Sequence, residues 1–134
     1  KMKRLLLLSV FALSGCGVVD AFLMTKYDPN EYDHINNIRV QAAEYKTQCD
    51  DAARSANNAT VIVRDTQAFE FYAQHIPRND DGYAIAKNIN EMAQGLKKQY
   101  DTNPKVSAVF CKFKFEGIER SAEIAQKTIG ARPR

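Results

Sequence analysis

The run Val109-Phe110-Cys111-Lys112-Phe113-Lys114-Phe115 admits two secondary structures, and the choice between them decides the fold. Taken in twos, Val109, Cys111, Phe113 and Phe115 share one face and Phe110, Lys112 and Lys114 the other, the alternation of a half-buried strand. Taken in threes and fours, Cys111, Phe115, Ile118, Ala122, Ala125 and Ile129 recur at intervals of 4, 3, 4, 3 and 4. That is the apolar stripe of an amphipathic helix. The stripe persists for nineteen residues and the alternation for only seven, so the segment is predicted helical and capped by Gly130. Asn103 followed by Pro104 fits the start of this helix, an N-cap with proline at the first helical position.

Upstream, the same periodicity recurs. Ile85, Ile89, Met92 and Leu96, spaced 4, 3 and 4, predict a helix from about Tyr83 to Tyr100. Asn79-Asp80-Asp81-Gly82 ahead of it is turn chemistry. A shorter helix, about Thr66 to Gln74, would face Phe69, Tyr72, Ala73 and Ile76 inward, with Asp65 as N-cap and Pro77 as terminator. A long first helix is predicted from about Glu31 to Asn57. Its stripe of Ile35, Ile38, Ala42, Tyr45, Cys49, Ala52 and Ala56 runs at 3, 4, 3, 4, 3 and 4, and Asn57-Asn58 would stop it. Thr60-Val61-Ile62-Val63 reads either as a short strand or as a buried connection. The expected fold is therefore all-α, a small four-helix bundle over residues 31–130 with a frayed tail at 131–134. A chain of 134 residues, 26% charged and with four prolines, is one ordered domain.

The first fifteen residues read as an address. Lys1, Lys3 and Arg4 precede the apolar run Leu5-Leu6-Leu7-Leu8-Ser9-Val10-Phe11-Ala12, the layout of a secretory signal peptide. Leu13-Ser14-Gly15-Cys16 then resembles the lipobox of bacterial lipoproteins. The resemblance implies cleavage after Gly15, a lipid on Cys16 and a lipidated tether over residues 16–30, punctuated by Asp28-Pro29-Asn30. Gly17, rather than aspartate, after the cysteine implies sorting to the periplasmic face of the outer membrane. The competing reading is an uncleaved spanning helix from Leu5 to Met24, interrupted by Gly15-Cys16-Gly17 and charged at Asp20. Removing Lys1, Lys3 and Arg4 from the 19 basic residues leaves 16, equal to the 16 acidic ones, which excludes a basic nucleic-acid binder.

With Cys16 lipidated, Cys49 and Cys111 form an even pair, each on the stripe of its own helix. The first and last helices of an up-and-down bundle are neighbours and the periplasm is oxidising, so a disulfide is expected, with two buried free thiols as the alternative. Chemistry is otherwise sparse. The sequence contains no G-x-S-x-G, H-E-x-x-H or Gly-rich phosphate loop, and its two histidines, His34 and His75, have solvated or capping positions. Asp50-Asp51 and Asp80-Asp81 are adjacent carboxylates that suit helix and turn positions. No catalytic residue, metal site or cofactor is expected, and the protein is not read as an enzyme. Phe71, Phe110 and Phe113 lie off the main stripes; they either widen the core or line a groove for a partner helix.

Taken together, the lipobox, a helical domain, a cysteine late in the first helix and another near the start of the last resemble the pilotin lipoproteins of type II secretion. That resemblance implies a lipid-anchored, non-enzymatic envelope protein whose periplasmic domain binds another envelope or secretion protein. The alternatives are a phage- or plasmid-encoded lipoprotein for superinfection exclusion or host lysis, and a structural envelope protein without a specific client. Labelling cells with a lipid precursor is expected to mark the wild-type chain, whereas Cys16→Ser loses the label and accumulates as unprocessed precursor.

Overall fold

The computed structural model describes residues 25–103 and 105–134, and the expected cleavage and lipidation positions, Gly15 and Cys16, lie outside them. Four helices follow one another: α1 Pro29–Tyr45, α2 Ala52–Gln74, α3 Asp80–Thr102 and α4 Ala108–Gly130, with a 3-10 turn at Lys46–Gln48 after α1. Among the described residues there is no strand.

The helices run up and down. Tyr72 meets Asp28, Asp65 meets Gln41 and Asn58 meets Gln48, so α2 descends alongside α1. Asn90 on α3 and Thr66 on α2 are hydrogen-bonded at 2.9 Å, and Ser121 on α4 packs on Met92 of α3. Gln126 reaches Tyr32 and Asn36, and Lys46 reaches Glu119, which returns α4 antiparallel to α1. Each helix thus has two neighbours, and the core fills the space between all four. Ile35, Ile38, Ile62, Phe69, Ile89, Leu96, Phe115, Ile118 and Ile129 are fully or almost fully buried there.

The last helix settles its ambiguity in favour of the 3–4 spacing. All six stripe residues, from Cys111 to Ile129, are buried. Val109 and Phe113, which a strand would have placed beside Cys111 and Phe115, are 81% and 68% exposed. The helix begins later than the proline suggested. Asn103 closes α3, its N–H donating to the Gln99 carbonyl at 2.9 Å, and Ser107 caps α4 by accepting from the Phe110 amide at 3.1 Å.

The first half of the chain departs further from expectation. The stripe from Ile35 to Ala56 is not one helix: it breaks at Cys49–Asp51. There the Asp51 carboxylate accepts from the Arg54 amide at 3.0 Å and caps α2. Ser55 Oγ donates to the Gln48 carbonyl at 3.0 Å and Asn58 Nδ2 to Gln48 Oε1 at 2.7 Å, holding the turn against the new helix. Helix α2 then absorbs the undecided Thr60–Val63 run, burying Ala59 and Ile62, so neither a strand nor a connection forms there. Asn57-Asn58 stops nothing, and Asp65 caps nothing. It sits inside α2, where it accepts from Gln41 Nε2 at 2.6 Å.

The tail is not frayed. Arg132 is only 5% exposed, and its guanidinium donates to Glu31 Oε1 at 2.7 Å, to Asn79 Oδ1 at 2.7 Å and to Asp81 Oδ1 at 2.9 Å. Asn79 Nδ2 in turn donates to Glu31 Oε2 and to the Ala73 carbonyl. Burial pushes the Glu31 carboxyl above the ordinary carboxylate range, with Asn79 and Arg132 pulling it back. The same end holds the chain ahead of α1: Tyr27 N–H donates to the Pro133 carbonyl at 2.8 Å, Thr25 Oγ1 to the Arg78 carbonyl, and Arg134 lies over the Tyr27 ring.

Phe115→Ala removes a fully buried aromatic and is expected to cost about 3–5 kcal/mol, whereas the exposed Phe113→Ala stays within about 0.5 kcal/mol. Thermal melts followed by circular dichroism measure the difference. Arg132→Ala leaves Glu31 buried without its countercharge and is expected to destabilise by about 3–5 kcal/mol. Replacing Glu31 and Arg132 together by methionine should recover much of that loss in the same melts.

Candidate partner-binding pole

Opposite the Arg132 end, the chain is closed covalently. Cys49 and Cys111, 62 positions apart in sequence, are joined as a disulfide with Cα atoms 5.8 Å apart. Two local signals bring them together. The 3-10 turn Lys46–Gln48 delivers Cys49 to the end of α1, and the Ser107 cap starts α4 so that Cys111 falls in its first turn, facing inward. Lys46 Nζ pairs with Glu119 Oε2 at 2.7 Å beside the crosslink, and this hydrogen bond holds the ammonium above its usual range.

Between the end of α1 and the start of α4 lies an open depression of about 580 Å³. Cys49, Thr47, Ala108 and Val109 supply its smaller and apolar lining, and Lys46, Asp50, Lys112 and Glu116 its charged rim. Val109 and Phe113, one helical turn apart on the outer face of α4, extend the apolar surface away from it. Val109 and Phe113 together form a small exposed apolar patch beside the depression. The arrangement offers apolar contact with charges at its edge, and no nucleophile–base pair.

The three off-stripe phenylalanines do not form one groove. Phe113 is at this pole. Phe110 is here too, but it is half-buried against the core with Lys114 Nζ 5.4 Å from its ring centroid. Phe71, 55% exposed, lies 19 residues beyond the start of α2, roughly 28 Å along the helix and near the opposite pole. Sequence reasoning missed Val109 as a surface residue because it counted only phenylalanines off the stripe. It missed the depression because that feature depends on where α1 ends.

The other candidates are structural. His34 packs beside Phe69 and Tyr72, with ring centroids 6.3 and 5.2 Å away, in a shallow recess with Asn30, Asp33 and Asn37. His75 closes α2. Asp51 caps α2, and Asp81 meets Arg132. Among the described residues no group of three or more His, Cys, Asp or Glu is placed to hold a metal ion, and no helix is long and apolar enough to cross a membrane. Comparison with protein-family models, with curated proteins and with solved structures finds no match to this chain.

Replacing both Cys49 and Cys111 by alanine is expected to lower the unfolding free energy by up to about 4 kcal/mol, the loop-entropy value for this separation. Urea denaturation of the oxidised protein and the double variant compares the two directly.

Proposed function

We propose that this protein is a lipid-anchored envelope protein, held to the outer membrane through Cys16, that captures another protein of the envelope or of a secretion machine in the manner of a pilotin. The observation that carries this reading is the exposure of Val109 and Phe113 beside an open depression, at the pole opposite the one that holds Thr25 to Asp28. A chain anchored upstream of Thr25 would present that pole away from its attachment. The Cys49–Cys111 disulfide suits an oxidising compartment. The lipobox supplies the address, and a compact bundle closed at both ends supplies a rigid platform. The partner chemistry that fits is an apolar helix face or strand carrying charges of both signs, answering Lys112 and Glu116 one turn apart on α4.

A photocrosslinking residue at position 113, introduced into the full chain in native envelopes, is expected to give a discrete adduct with a second protein. The same residue at position 71 should not, and adding Val109→Asp should abolish the adduct at 113. Equal adducts from 71 and 113, or none from 113, would remove the partner-binding reading.

A further inference from the structure

We propose that the Cys49–Cys111 crosslink is made and opened through one sulfur only, that of Cys49, and that the reactant at this site is a thiol, in the cell the cysteine of a thiol–disulfide oxidoreductase. The two sulfurs are unequal in access. Cys111 is completely buried, whereas Cys49 is half-buried and lines the open depression beside Thr47, Asp50, Ala108 and Val109. Exchange needs a thiolate to reach a disulfide sulfur directly, so access selects the point of attack. The rim carries two lysines and two carboxylates, Lys46 and Lys112 against Asp50 and Glu116, so net charge neither draws in nor repels an incoming thiolate.

For the leaving group two effects oppose. Cys111 lies in the first turn of α4, where the helix N-terminus favours a thiolate, and it is completely buried, which disfavours one, so access is what selects the point of attack. The incoming thiolate forms a bond to Cys49 Sγ, the Cys49–Cys111 bond breaks, and its electron pair departs on Cys111 Sγ, which takes up a proton in place of the one the incoming thiol lost. A second thiol of the oxidoreductase then attacks its own sulfur in the mixed disulfide and releases Cys49. The reductant ends as a disulfide and the protein as two thiols. Run backwards, the same steps form the crosslink: Cys49 accepts the mixed disulfide and Cys111 resolves it.

The consequence rests on the partner-binding reading. The end of α1 and the start of α4 are the two walls of the depression, and this bond joins them. Opening it loosens the partner-binding pole, while Glu31, Asn79 and Arg132 still close the other.

The test uses the full chain in detergent, exposed briefly to glutathione under native conditions, quenched with an alkylating agent and mapped by mass spectrometry. Glutathione on the peptide carrying Cys49, with the alkyl group on Cys111, is expected. Glutathione on Cys111, an even split, or exchange that needs denaturant overturns the proposal. Single variants give an independent check with oxidised glutathione. Cys49 in Cys111→Ser should be modified in the native state, and Cys111 in Cys49→Ser roughly a hundredfold more slowly, through local opening alone. Equal rates overturn the proposal. None of these readouts needs a partner, so the loss of crosslinking at position 113 would leave this result standing, and an adduct at 113 would not rescue it.

Discussion

A guanidinium taken out of water must be met by an opposite charge and by acceptors for its remaining hydrogens, and Arg132 organises one whole end of this bundle around that demand. Its carboxylate is Glu31, 101 residues earlier, and its second acceptor is Asn79 in the α2–α3 connection. Once Asn79 is held there, the position facing it has no room for a side chain: a Cβ on Gly82 would clash with the Asn79 side-chain amide. The turn ahead of it takes Arg78 to a φ of 58°, a conformation uncommon outside glycine, and the Arg78 carbonyl receives Thr25. Tyr27 and Pro133 are joined by a backbone hydrogen bond across the same end. The start of α1, the turn between α2 and α3, and the chain beyond α4 are therefore fixed by a single cluster of polar contacts.

None of that was visible from periodicity. Apolar spacing reports which residues turn inward along a helix, and it identified Phe115, Ile118, Leu96, Ile89, Ile35 and Phe69 correctly because burying those side chains stabilises each helix. It carries no information on a charged residue whose partner lies at the other end of the chain. On periodicity Glu31 is only the approximate start of the first helix, and Arg132 part of a frayed tail. The same blindness applies to starts and stops. Asp28-Pro29 and Asn103-Pro104 have the same form, yet Asp28 caps α1 and Asn103 ends α3. Between Asn103 and the last helix the chain has Ser107, whose hydroxyl competes for the cap and takes it.

The break after α1 shows how a correct pairing can follow from an incorrect helix. Cys49 was placed inward because it continued the spacing of Ile35, Ile38, Ala42 and Tyr45. That register holds as far as the cysteine and then ends, since Ala52 is exposed at the start of a new helix. Asp51 supplies the reason. Its carboxylate satisfies the amide of Arg54, one of the orphan donors of a helix start, and Gln48 fastens the turn through Ser55 and Asn58. A continuous helix through this point would have carried α1 past the start of α4. Ending it at the cysteine lets the two helix ends meet, and the same ending opens the depression beside them.

The two closures differ in what they permit. The Arg132 cluster is non-covalent but buried, and it fails only if its charges are exposed or removed. The disulfide is covalent but set beside open solvent on its Cys49 side, and it fails to a reagent. Stability placed in this way concentrates resistance where the chain enters the bundle and chemical vulnerability at the far pole. A helix end freed at that pole leaves most of the core untouched, because the buried stripe of α4 continues from Phe115 to Ile129 against α1 and α3. The exposed Val109 and Phe113 stand on either side of Cys111 in sequence, so the position of the surface depends on how α4 begins at the Ser107 cap, and the crosslink ties that start to the end of α1. Surface and bond are one local structure, and a change in the bond is felt first at the surface.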